Sequence, residues 1–212
     1  MNPLTHVITL KSQPDRWTRC FTHLNERGYW ATPFHGVDAE RMGLVTTNSH
    51  QLPDGRDYTP PPYHVGCCLS HWMLWRELWS WRPGCDLSKP LSDWKTPLAI
   101  MEDDVLLRED WEPMLQAALT DLPDDWDILF AGSCNAKFNG ATHYKGNLWQ
   151  AKEPLCTHFY LVRPKALPTL IESCERIYTN IDWAIAQQAL PKLNTFVVLP
   201  RIAGQHGMDL IE

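Results

Sequence analysis

The sequence predicts an α/β protein: a mostly parallel sheet flanked by helices, in a single domain over residues 1–212. Three observations carry that expectation. Pro97-Leu98-Ala99-Ile100-Met101 is an uncharged run that reads as a strand buried on both faces, and it runs straight into Glu102-Asp103-Asp104. The amino-terminal stretch reads as strand, turn, helix and strand, the opening of a nucleotide-binding α/β unit. A chain of 212 residues that is 44% hydrophobic and 11% aromatic is long and apolar enough to bury a sizeable core.

Taken in order, Thr5 to Leu10 is a β-branched first strand, and Pro14 opens a helix over 15–26 that stops at Gly28. Trp17, Phe21 and Leu24 form its expected buried face. Tyr29 to Val37 is the expected second strand, leading to Asp38. Residues 43–63 read as a loop stiffened by Pro60, Pro61 and Pro62. His64 to Trp79 is nearly free of charge and reads as a helix buried on most of its surface, with Trp72, Trp75 and Trp79 as core. Ser70 and His71 inside it must find partners or face a cavity. A polar loop over 82–96 leads into the acidic strand. Helix 110–122, strand 126–132, a hairpin-like or mobile stretch over 133–154, strand 156–162 and helix 164–174 follow. Asp182 stands at the entry of helix 183–190, where it is either an N-cap or a base presented to a substrate. Strand 195–199 precedes a glycine-rich tail carrying His206, read either as a solvated side chain or as a metal ligand.

Three consecutive carboxylates beside a core repel one another unless a cation or several donors compensate. Alternation along an extended chain puts Glu102 and Asp104 on one side and Asp103 on the other. Such an acid-x-acid pair suits a hard cation, Mg2+ or Mn2+, at the carboxyl end of a strand, where open α/β sheets bind ligands. The bland alternative is a solvated acidic turn. Phosphate-cradling glycine motifs are missing, so a nucleotide is held by other means. Arg16, just past the first strand, is a candidate for a phosphate or a base.

A net charge of −6 argues against a broad grip on nucleic acid, although Lys137, Lys145 and Lys152 leave room for a local basic groove. No segment is long and apolar enough to span a membrane and no leader-like start is present, so the expectation is a soluble cytoplasmic protein. Seven cysteines without C-x-x-C spacing suggest reduced thiols, with neither a zinc site nor a disulfide framework.

Together these residues resemble the lipooligosaccharide-biosynthesis glycosyltransferase family that also contains the procollagen galactosyltransferases. The matching pieces are Ile8-Thr9-Leu10 with Pro14-Asp15-Arg16, Gly36-Val37-Asp38, Gly66-Cys67-Cys68-Leu69-Ser70-His71, and Ile100 to Val105. Weaker matches are Asp125 to Leu129, Thr157 with Tyr160-Leu161-Val162, and Ile181-Asp182-Trp183. The resemblance implies a GT-A fold and transfer, with inversion, of a hexose from a uridine diphosphate sugar. It implies Mn2+ or Mg2+ held by Glu102, Asp104 and His206, and a donor bound by Thr9, Leu10, Arg16, Asp38, Ser70, His71, Glu102 and Asp103. Asp182 is the implied general base. The acceptor stays open: a glycan, a lipid-linked sugar, a protein hydroxyl, or a hydroxylated base in DNA. A catalytically silent nucleotide- or glycan-binding relative is the competing class. Oligomeric state is left undetermined.

Overall fold

The computed structural model describes residues 3–51, 55–81, 88, 96–134, 140–153 and 155–206. An eight-stranded mixed sheet forms its centre. Its strands, in chain order, are β1 (Leu4–Thr9), β2 (Thr32–His35), β5 (Leu98–Glu102), β7 (Ile128–Cys134), β8 (Thr142–Lys145), β9 (Leu148–Gln150), β10 (Leu155–Val162) and β11 (Thr195–Val198). Their spatial order is β2-β1-β5-β10-β7-β11-β9-β8. The pairs β1–β2, β1–β5 and β7–β11 are parallel, and β10 lies antiparallel between β5 and β7. Two small pairs complete the strands: β3 (His50–Gln51) with β4 (Asp57–Tyr58), and β6 (Val105–Leu107) with β12 (Ala203–Gln205).

The uncharged run of β5 is buried on both faces, as its composition requires. Leu98 and Ile100 pack with Leu74, Trp75, Tyr160 and Leu167, beneath α3 (Pro62–Trp81) and α5 (Leu167–Ser173). Ala99 and Met101 pack with Leu24, Trp111, Leu115 and Phe159, beneath α1 (Pro14–Glu26) and α4 (Trp111–Asp121). One strand thus feeds two cores through the two-residue period of its side chains.

Several boundaries differ from expectation. β2 covers only four residues, because Tyr29 folds back to hydrogen-bond Leu24 O and enters the core at 1% exposure. On α1 the buried side chains are Cys20 and Leu24, whereas Phe21 is 37% exposed and stacks on Trp17. α3 starts at Pro62, whose fixed φ suits a first turn. Trp75 is fully buried, and Trp72 and Trp79 pack on the edge of the same core. The stretch 140–150 is the β8–β9 hairpin on the sheet edge; Asn135, Lys137 and Asn139 fall outside the described residues, as does most of the loop over 82–96. The helix expected over 183–190 is α6 (Ile181–Ala184) followed by a π-type turn over Ile185–Ala189. Asn180 takes its N-cap position, so Asp182 lies in the first turn.

The thiol expectation is overturned in part. Cys134 and Cys156 are bonded, with Cα atoms 5.7 Å apart, because β7 and β10 are neighbours and their register brings Leu155 opposite Cys134. The pair lies 22 positions apart in the chain, so nothing in local spacing announces it. Among the described residues Cys20, Cys67, Cys68 and Cys174 are free.

Two glycines let α3 close on the loop after β2. A Cβ at Gly66 would sit 2.6 Å from Val37 O, and one at Gly36 would sit 2.5 Å from Ser70 Oγ. Backbone cannot yield as a flexible side chain does. Gly66→Ala is therefore expected to destabilise the fold by about 1–3 kcal/mol, read as a lower denaturant midpoint at unchanged m.

Candidate active site

β1 and β5 are parallel, and both end at one cavity of about 520 Å3. Thr9 and Leu10 follow from β1, the acid triplet from β5, Arg16 from α1, Asp38 from the loop after β2, Ser70 and His71 from α3, and Asp182 from α6. All of these side chains line it. Residues more than a hundred positions apart in the chain are brought together by parallel strand ends, the place where sheets of this kind bind ligands.

Glu102 is the last residue of β5, and the chain turns at Asp103-Asp104 before β6. Strand alternation therefore stops at Glu102, and all three acids line the same cavity, contrary to the two-sided arrangement expected of an extended chain. Each acid has its own environment. Register places Ile8 opposite Glu102, so the next residue, Thr9, donates from Oγ1 to Asp103 Oδ2 at 2.8 Å. Arg16 approaches Asp103 Oδ1 at 2.5 Å and Asp104 Oδ2 at 3.4 Å. Thr157 Oγ1 donates to Glu102 Oε1 at 2.5 Å, and His71 Nε2 lies 3.1 Å from the same oxygen.

Behind Glu102 runs a buried relay. Trp75 Nε1 donates to the Tyr160 hydroxyl at 2.8 Å, and that hydroxyl lies 2.9 Å from His71 Nδ1. Ionised Glu102 can only accept, which makes His71 Nε2 a donor; the Tyr160 hydroxyl partners the other ring nitrogen, and every member is satisfied. Burial pushes the Glu102 carboxyl up, but the hydrogen bonds from His71 and Thr157 outweigh it and hold the group at about 2. Tyr160→Phe would leave Trp75 Nε1 and His71 Nδ1 buried without a partner. A loss of about 2–4 kcal/mol is expected in equilibrium unfolding.

Asp104 is the opposite case. Burial first, then the charge of Glu102, raise its carboxyl to about 6 against the pull of Arg16. Its Oδ1 is buried with no hydrogen-bond partner among the described residues. An uncompensated carboxylate oxygen beside two more carboxylates is a position that a cation would satisfy.

Ser70 is both satisfied and useful: Oγ donates to Gly66 O at 2.6 Å and accepts from Val37 N at 2.8 Å, tying the loop before Asp38 to α3. Asp38 caps α2 (Ala39–Met42), accepting from Arg41 N at 3.0 Å and from Ser12 Oγ, and these bonds hold its carboxyl below the usual range. Asp182 is half-buried, with Oδ1 accepting from Trp183 N at 2.9 Å and Oδ2 from Cys156 N at 3.3 Å. Two backbone donors aim it.

His206 does not share the first cavity with Glu102. It lines a second, of about 570 Å3, together with Arg19 and His23, and Arg16, Asp103 and Asp104 form the wall common to both. The exposed His206 is tied there through its backbone, which donates to Asp104 O at 2.8 Å. Sequence reasoning assigned no role to Thr157, Tyr160 or Cys156. Thr157 and Tyr160 had a legible signal in the resemblance; Cys156 had none.

A sequence model of the family described as "Glycosyltransferase family 25 (LPS biosynthesis protein)" matches residues 2–185. The "Procollagen lysyl hydroxylase and glycosyltransferase" of Acanthamoeba polyphaga mimivirus is 25% identical over 135 residues, 59% of this chain. The matched part is only 14% of that relative's length. In three dimensions the chain is similar to a glycosyltransferase involved in the glycosylation of the major capsid of PBCV-1. The TM-score is 0.51 at 9% identity, over 98% of this chain and 96% of that one.

Proposed function

Given that the chain belongs to glycosyltransferase family 25, we propose that it transfers a hexose, with inversion, from a uridine diphosphate sugar to an acceptor hydroxyl. The observation that carries this reading is the single cavity that Asp182 shares with the acid triplet. Glu102 and Asp104 are the ligands proposed for Mn2+ or Mg2+, with His206 proposed to reach the ion from the neighbouring cavity across the wall that Asp103 and Asp104 share, and the uncompensated Oδ1 of Asp104 supports a cation there. Such an ion supplies positive charge to a leaving diphosphate. The chain's own groups do the rest. Thr9, Leu10, Arg16 and Asp38 bind the donor. Ser70 and His71 hold Asp38 and Glu102 in place. Asp182 takes the proton of the acceptor hydroxyl as its oxygen bonds to the sugar carbon, and the electron pair of the breaking bond leaves with the nucleotide.

The unit proposed to act is one domain over residues 1–212, located in the cytoplasm. Among the described residues no helix is long and apolar enough to cross a membrane. For the acceptor, a glycan, lipid-linked sugar or protein hydroxyl is favoured over a base in DNA. Lys145 is engaged by Asp121 at 2.8 Å rather than free for phosphate, and the net charge is −6.

The test is release of nucleoside diphosphate from a panel of nucleotide sugars, with Mn2+ and then with excess chelator. Metal-dependent release from a uridine diphosphate hexose is expected. Release that survives the chelator would remove the metal from the proposal, and release from another nucleotide alone would replace the donor.

A further inference from the structure

Between the pairs Leu155–Cys134 and Phe159–Gly132, three residues of β10 stand opposite one of β7. In this bulge Cys156 takes φ 71°, a left-handed conformation that persists in a residue with a Cβ only where its surroundings impose it. Two contacts leave the bulge for the active site: Cys156 N–H to Asp182 Oδ2 and Thr157 Oγ1 to Glu102 Oε1. One covalent tether holds it, the bond from Cys156 to Cys134. Cys156 lines the cavity and Cys134 does not.

We infer that the Cys134–Cys156 bond is a positioning device for sugar transfer: it holds the bulge that aims Asp182 and Glu102, and breaking it slows the reaction. The inference rests on the role given to Asp182 above. Reduction by a dithiol delivers two electrons and two protons, leaving two protein thiols and the oxidised cyclic reductant. Cys156 is open to that reagent through the cavity.

The experiment compares oxidised protein, dithiol-reduced protein and Cys134→Ser, which breaks the bond without altering a cavity residue. Amide exchange over 155–159 and 180–183 is read alongside kcat, acceptor KM and donor affinity. Reduction and Cys134→Ser are each expected to speed exchange in both segments and lower kcat roughly ten- to hundred-fold, with donor affinity falling much less than kcat because His71 still holds Glu102. Cys134→Ser should no longer respond to reductant, which assigns the effect to this pair. Unchanged exchange, or faster exchange at unchanged kcat, would overturn the inference. Faster exchange in a protein that turns over no donor in any state would support the coupling and place the failure in the proposed activity.

Discussion

Asp182→Asn is expected to lower kcat by about a thousand-fold while leaving donor affinity within a factor of about two. The replacement has nearly the same shape, and its carbonyl oxygen can still accept from Trp183 N, which lies 2.9 Å from Oδ1 in the native chain. What it loses is the ability to take a proton. Steady-state kinetics with saturating donor and varied acceptor check this, with the circular dichroism spectrum as the control for folding. Retention of more than about a tenth of kcat would move proton acceptance to another group. His64 is the first to test, since it lines the same cavity and its imidazole is held below its ordinary value by burial, despite the nearby Asp182 charge.

For Asp104→Asn two opposite results are expected from one substitution: loss of metal-dependent turnover and a more stable protein without metal. The native carboxyl is displaced upward from the ordinary 3.8 to about 6 by burial and by Glu102. A group whose folded value is raised destabilises the fold wherever it is ionised in both states, here above about pH 6. As pH falls through that value the folded protein takes up the proton first, and the penalty is gone below the unfolded value. Removing the charge should thus raise stability at pH 7.5 by about 1–3 kcal/mol, and the gain should vanish near pH 4. Asn also weakens the contact with Arg16, which sets the lower end of the range. Denaturant titrations of the metal-free proteins at the two pH values decide it. A cation needs the ionised form, so Mn2+ affinity of the native protein should drop at least about ten-fold for each pH unit below about 6. Affinity that is flat across that range would exclude Asp104 as a ligand.

The parts of this protein that could be read along the chain are those encoded locally. Ile100 and Met101 report burial on both faces by belonging to an uncharged run, Pro14 reports a helix start, and the acid triplet reports its own electrostatic cost. Ser70 and His71 stood out as polar groups in an apolar helix, and their need for partners was legible even though the partners were not.

Strand register and chain reversal decided the rest, because both join residues distant in sequence. The turn at Asp103 cancels the alternation that Glu102 and Asp104 would have in an extended strand, and puts three acids in one cavity. The pairing of β5 and β10 decides that Tyr160 and Thr157 complete the surroundings of Glu102. The β7–β10 register decides that Cys134 meets Cys156, and the bulge decides that a backbone N–H meets Asp182. A carboxylate's identity is written in the sequence, but its proton affinity belongs to its surroundings: of two acids two residues apart, Glu102 is held near 2 and Asp104 is lifted to about 6, because only Glu102 receives donors from His71 and Thr157.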